Sequence, residues 1–183
     1  MIYLVGGAPR VGKTILAQRI AAKLPAGWVS TDLLLDLLRL KQDDGVKVEW
    51  NAAPEAITAN AAWFFPYLSR FVWGAASLAE NYVIEGVDFL PRQVAELSTQ
   101  YPVRSVFLGC SRMTLEDFDR FPGRSQGYGG LPEAVRRQIV QDVPLWSEFI
   151  RQECQHVGYP YVDMADDFLR RLDDAETVLL AGA

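Results

Sequence analysis

Gly7, Ala8, Pro9, Arg10, Val11, Gly12, Lys13 and Thr14 fit the spacing GxxxxGK[ST], and they carry the strongest chemical signal in the chain. A glycine turn that opens a helix can wrap an anion with its backbone N–H groups, and the aligned peptide dipoles add partial positive charge at the same point. Phosphate is the anion such a loop suits. Lys13 would extend a charge to the β- and γ-phosphates of a nucleoside triphosphate, and Thr14 offers a hydroxyl to Mg²⁺, whose octahedral shell takes oxygen ligands and water. ATP and Mg²⁺ are therefore the expected cofactors.

Such a loop works only between a strand and a helix, and the flanking sequence supplies both. Residues 1–5 are a short apolar run rich in β-favouring residues, and residues 14–24 place Ile15, Leu16, Ile20 and Leu24 on one helical stripe. Val29 belongs to a second strand, followed by a Leu-rich helix over 33–40 that Asp32 can cap, and by a polar connection over 41–49. Residues 54–80 read as a long helix bent or broken at Pro66. Strands over 82–85, 103–108 and 159–162 alternate with helices over 91–99, 114–121 and 131–155. A helix from Ala165 and a further one after Asp174 close the pattern. The glycine-rich stretch 121–132 reads as a mobile loop. This alternation predicts right-handed crossovers and an α/β fold with a parallel sheet covered on both faces. The aromatic group Trp63, Phe64, Phe65, Tyr67, Phe71 and Trp73 suits core packing under the long helix better than an acceptor pocket.

The loop motif in this setting is the signature of P-loop nucleoside triphosphate proteins, and the shortness of the chain resembles the small kinases related to adenylate and shikimate kinase. The resemblance spans almost the whole chain. It implies a three-layer P-loop fold with a five-stranded parallel sheet and a short lid over about 120–131, and transfer of the ATP γ-phosphoryl group. Asp32, following Ser30 and Thr31, occupies the place where small hydroxyl kinases hold an Asp to accept the proton; the other reading is a helix cap. Arg39, on the same helix face, would meet an anionic acceptor or stand in solvent. Glu85 ends a strand where P-loop proteins place a carboxylate near the magnesium waters. Arg120 and Arg124 resemble the arginine pair opening the lid of adenylate-kinase-like enzymes, one covering the adenine and the other meeting the transferred group. Arg136 and Arg137 either complete an anion clamp or form a solvated helix face.

The run Ile84-Glu85-Gly86-Val87-Asp88-Phe89-Leu90-Pro91-Arg92 resembles 2-phosphoglycerate kinase and its relatives, as does Trp146-Ser147-Glu148-Phe149-Ile150-Arg151 followed by Gly158-Tyr159-Pro160-Tyr161-Val162-Asp163. Those proteins commonly carry His where this chain has Asp88. The resemblance implies acceptor contacts at Asp88 and Arg92, against a helix cap and a surface charge, and an adenine edge bordered by the backbone at Asp163 and Met164.

Composition narrows the rest. The chain has 183 residues, half of them apolar, which suits one domain over 1–183. A formal charge of −5 without a basic run argues against a nucleic-acid surface. Cys110 and Cys154 lack CxxC spacing and His156 is the only histidine, so structural zinc is not expected. The amino terminus lacks the features of a signal peptide, and Pro66, Ser69 and Arg70 interrupt the apolar stretch 61–79, so the expectation is a cytoplasmic monomer or homodimer without a membrane span. Together these readings predict a kinase acting on a hydroxyl of a small, anionic metabolite. The alternatives are a nucleoside monophosphate kinase, an antibiotic- or zeta-toxin-type phosphotransferase, and a nucleotide-sensing switch without catalysis.

Overall fold

The computed structural model describes residues 1–39, 52–78, 80–120 and 131–181, with Arg39, Phe118, Asp119 and Arg120 described in their backbone alone. The apolar run at the start forms β1 (Ile2–Gly7), buried along its whole length. It extends past the expected end at Val5 because Gly6 and Gly7 continue the parallel pairing with a later strand, opposite Phe107 and Leu108. The chain then turns into α1 (Lys13–Lys23), passes through β2 (Gly27–Ser30) and enters α2 (Thr31–Arg39). Helix α2 starts earlier than expected. Asp32 is therefore not its cap: it lies in the first turn, and Ser30 Oγ accepts from the Asp32 amide at 3.4 Å.

Helix α3 (Pro54–Leu78) runs unbroken through Pro66. Proline removes one backbone hydrogen bond, but Ile57, Ala61, Phe64, Leu68, Val72 and Ala75 form a buried stripe that holds the helix on the sheet. Burial of each large side chain contributes about 1.5–3 kcal/mol, so the stripe outweighs the lost bond. Phe64 is fully buried, and Trp63, Phe65 and Phe71 pack on the core. Tyr67 and Trp73 stand exposed, and Arg70 lies over the Trp73 ring. The aromatic group is core packing in part.

The remaining elements are β3 (Tyr82–Glu85), α4 (Pro91–Ser98), β4 (Val103–Gly109), α5 (Leu115–Arg120), α6 (Glu133–Val157), β5 (Tyr161–Asp163) and α7 (Phe168–Leu180). Thr114 and Asp117 cap α5 reciprocally, each side chain accepting from the other's amide at 3.1 Å. Strand β5 begins two residues later than expected, since Phe107 donates to the Pro160 carbonyl before the ladder opens at Tyr161. The two closing helices are one, α7, whose Asp167 side chain accepts from the Arg170 amide. The lid expected over 120–131 lies, apart from its ends, outside the described residues.

The five strands are all parallel in the order β2-β3-β1-β4-β5, with β1 at the centre. Helices α1 and α7 join through Arg19–Asp173 and Lys23–Glu176 ion pairs. Helices α3, α4 and α6 pack together: Gln93 donates to the Ala61 carbonyl at 2.8 Å, and Arg92 pairs with Glu153. The result is a three-layer α/β fold with the glycine loop on the central strand. Among the described residues no helix is long and apolar enough to cross a membrane.

Candidate functional site

The loop leaves β1 at Gly7, whose φ of +125° belongs to glycine and whose absent Cβ would fall 1.9 Å from the Leu108 carbonyl oxygen. The Ala8 amide donates to that same carbonyl at 2.9 Å, so the loop hangs from β4. Arg10 also takes a left-handed conformation, with φ 62°. Gly12, at φ +92°, precedes α1. Pro9 and Val11 are buried beneath the turn. A side chain at Gly7 would collide with the Leu108 backbone of β4, so the turn requires glycine at this position.

Lys13 is buried, and its Nζ donates to the Ala8 carbonyl at 2.5 Å, across the loop it closes. Burial pushes its pKa below the ordinary 10.5, while the charges of Glu85, Asp32 and Asp88 pull it back up. That opposition reveals the electrostatics of the site: one lysine from the loop after β1 shares its surroundings with carboxylates from α2, β3 and the turn after β3. Thr14 Oγ1 donates to Glu85 Oε1 at 3.0 Å. A hydroxyl and a carboxylate form the hard oxygen pair that Mg²⁺ takes, directly or through water, so these residues fit the expected ion.

Asp32 is exposed in the first turn of α2, and Asp88 is buried, accepting from Thr31 Oγ1 at 2.8 Å. Asp88 is not a helix cap, because Leu90 holds that place before α4. The structure thus brings Lys13, Thr14, Asp32, Glu85 and Asp88 to the carboxyl ends of β1, β2 and β3, where open parallel sheets bind ligands.

Arg92 turns elsewhere: it pairs with Glu153 of α6 at 3.0 Å and reaches Thr58 Oγ1 at 3.4 Å. Asp163, at the end of β5, accepts from the Ser111 amide at 3.0 Å and the Ala165 amide at 3.1 Å, tying the β4 and β5 turns together. Arg137 is held by Glu133 one turn back on α6. Arg124 and the side chains of Arg39 and Arg120 lie outside the described residues. Sequence reasoning passed over Thr31 and Gly86 as working residues. Their signal was present, since a glycine directly after the strand-ending Glu85 marks a close approach by another element.

No family model matches the chain, and no curated protein matches it in sequence. Among solved structures it is similar to a gluconokinase from Sinorhizobium meliloti 1021, at TM-score 0.56 and 16% identity, covering 97% of this chain and 90% of that one. It is also similar to a shikimate kinase from Bacteroides thetaiotaomicron, at TM-score 0.52 and 15% identity, covering 97% and 94%. At such identities the likeness speaks to the fold, and the expected resemblance to the shikimate-kinase-like group of small P-loop kinases is borne out in the three-layer α/β architecture that carries the loop.

Proposed function

We propose that the chain is an ATP-dependent phosphotransferase that moves the γ-phosphoryl group to a hydroxyl of a small metabolite. The observation that carries this reading is the convergence of Lys13 with Asp32, Glu85 and Asp88 at the edge of one sheet. A nucleotide-binding switch needs the loop and the metal-side carboxylate; additional carboxylates facing the loop lysine suit an acceptor. The names of the two similar structures, gluconokinase and shikimate kinase, support phosphotransfer over bare hydrolysis.

In this reading the loop amides and Lys13 would bind the triphosphate, and Thr14 and Glu85 would hold Mg²⁺, Glu85 through water. When bound, the ion neutralises charge on the β- and γ-phosphates. Asp32 takes the proton of the acceptor hydroxyl as its oxygen bonds to the γ-phosphorus and the bridge to the β-phosphate breaks, leaving ADP. Asp88 contacts the acceptor. Arg92 can join it only by releasing Glu153. Arg39 would favour an anionic acceptor, Arg120 and Arg124 would cover the nucleotide, and the Asp163 backbone would border the adenine.

The test is ADP release from Mg·ATP across phosphorylated and unphosphorylated hydroxyl compounds, with AMP, CMP and UMP included. Stimulation by a hydroxyl compound is expected. Stimulation by monophosphates alone would point to a nucleoside monophosphate kinase, and ATP binding with no acceptor-dependent release would overturn the kinase reading.

A further inference from the structure

Thr31 opens α2 with its side chain fully buried, and its hydroxyl donates to Asp88 Oδ2 at 2.8 Å. The bond crosses from the end of β2 to the turn after β3, and it exists because Gly86 has no side chain. A Cβ at Gly86 would lie 1.8 Å from Thr31 Oγ1 and 2.7 Å from Thr31 Cβ. Two residues, Thr31 at the start of α2 and Gly86 in the turn after β3, are thus fitted to one carboxylate. Asp88 is buried, 8% exposed, and its charge reaches the loop lysine.

Packing alone does not require this arrangement. Two apolar side chains of similar shape would fill the same space without desolvating a carboxylate, whereas a buried acid must be paired to be tolerated. An ionised carboxylate accepts up to about four hydrogen bonds. A donor fixed on Oδ2 sets the plane of the group and thereby the direction from which further donors approach. The same charge repels an incoming phosphate, and Arg92, the arginine nearest in sequence that could offset it, is turned to Glu153 and Thr58.

Resting on the kinase reading above, we propose that Thr31 is the positioning residue for Asp88, and that Asp88 so held accepts a hydrogen bond from a second donor on the acceptor, a hydroxyl or an ammonium beside the hydroxyl that is phosphorylated. The acceptor class is then a polyol or amino-polyol. A compound whose second group is a phosphate is disfavoured.

The test compares the parent with Thr31→Val, Thr31→Ser and Asp88→Asn. Carbon-13 labelling of aspartate reports the Asp88 carboxyl resonance, identified by its loss in Asp88→Asn. It should move in Thr31→Val and return in Thr31→Ser. In ADP-release kinetics with a panel of polyols and amino-polyols, Thr31→Val should raise the acceptor KM at least about tenfold, as loss of a charge-assisted contact implies. Its kcat should change far less, and Thr31→Ser should recover the parent KM. Asp32→Asn should instead lower kcat, so failure of the base assignment is seen separately. An unmoved Asp88 resonance in folded Thr31→Val would overturn the proposal, as would an unchanged acceptor KM. A panel in which only phosphorylated compounds stimulate ADP release, or in which no polyol or amino-polyol does, would also overturn it.

Discussion

Thr14 Oγ1 lies 3.0 Å from Glu85 Oε1, a bond that joins the first turn of α1 to the end of β3 across 71 positions of chain. The two oxygens are held together by parallel pairing of β1 with β3, which sets Val5 beside Glu85. Glu85→Gln keeps the size and an acceptor oxygen but removes the charge. The Mg²⁺ concentration needed for half-maximal ADP release should rise about tenfold or more, the scale on which loss of a metal-supporting group acts. A metal titration matching the parent would count against a role for Glu85 at the ion.

Asp32→Asn should leave fold and ATP affinity in place, because Ser30 rather than Asp32 caps α2. Single-turnover transfer to the true acceptor should fall by about a hundredfold or more, the usual contribution of a positioned base. Thermal melting alongside separates lost chemistry from lost structure. Retained transfer would shift the base to Asp88.

Lys13 has its pKa lowered mainly by burial. Between its folded value and the ordinary 10.5, the unfolded chain binds more protons than the folded one, so stability rises with pH through that window. Below it, the folded protein bears the full cost of the buried charge. Without nucleotide, Lys13→Met should therefore melt above the parent at neutral pH, with the gap narrowing as pH approaches 10.5. The same variant should lose ATP affinity by calorimetry, since its charge is directed at the β- and γ-phosphates. Equal affinity in both proteins would remove Lys13 from the site.

Two glycines give opposite expectations. Gly7→Ala forces a Cβ to within 1.9 Å of the Leu108 carbonyl at φ +125°, and should cost about 2 kcal/mol or more. Gly74 lies within α3 with nothing within 4 Å of a built Cβ. Gly74→Ala should stabilise by about 0.5–1 kcal/mol. Denaturant midpoints read both, and a destabilised Gly74→Ala would contradict the open space beside α3.

Cys110 and Cys154 are buried, and burial pushes their thiols up to about 11 and about 12. Almost no thiolate exists at pH 8, and the thiolate is the reactive form. Alkylation by iodoacetamide at pH 8 should be at least about a hundredfold slower in the folded protein than in guanidinium chloride. Fast labelling of either cysteine while the protein remains folded would show that the strand end at Cys110 or the core face of α6 opens.

The loop and its flanking strand and helix were legible because a glycine pattern and an apolar run are local signals. The carboxylate at Glu85 was legible for the same reason, as the last residue of a short β-favouring run. Helix boundaries were less so: proline at 66 reads as a break in sequence, and only the buried stripe from Ile57 to Ala75 shows why α3 continues. The two expected terminal helices merged because Leu172, Ala175 and Leu179 make one buried face across Asp174. Arg92 looked available for an acceptor, yet its partner Glu153 lies on a helix distant in sequence, and long-range ion pairs leave no periodic trace. Thr31 was hidden likewise, since its partner Asp88 is 57 positions away.

Gly12 faces Phe168: a Cβ at this loop glycine would come within 2.8 Å of that ring, which stands at the first position of α7. Arg19 and Asp173, 154 positions apart, fasten the same two helices. During synthesis the glycine loop therefore leaves the ribosome long before the helix that backs it. Until α7 arrives, the start of α1 presents an uncovered apolar flank, and such surfaces favour association between partly made chains. A nascent chain should gain nucleotide affinity late and abruptly, when α7 docks on α1, so the maturation of the site waits on the synthesis of a helix more than 150 positions beyond the loop.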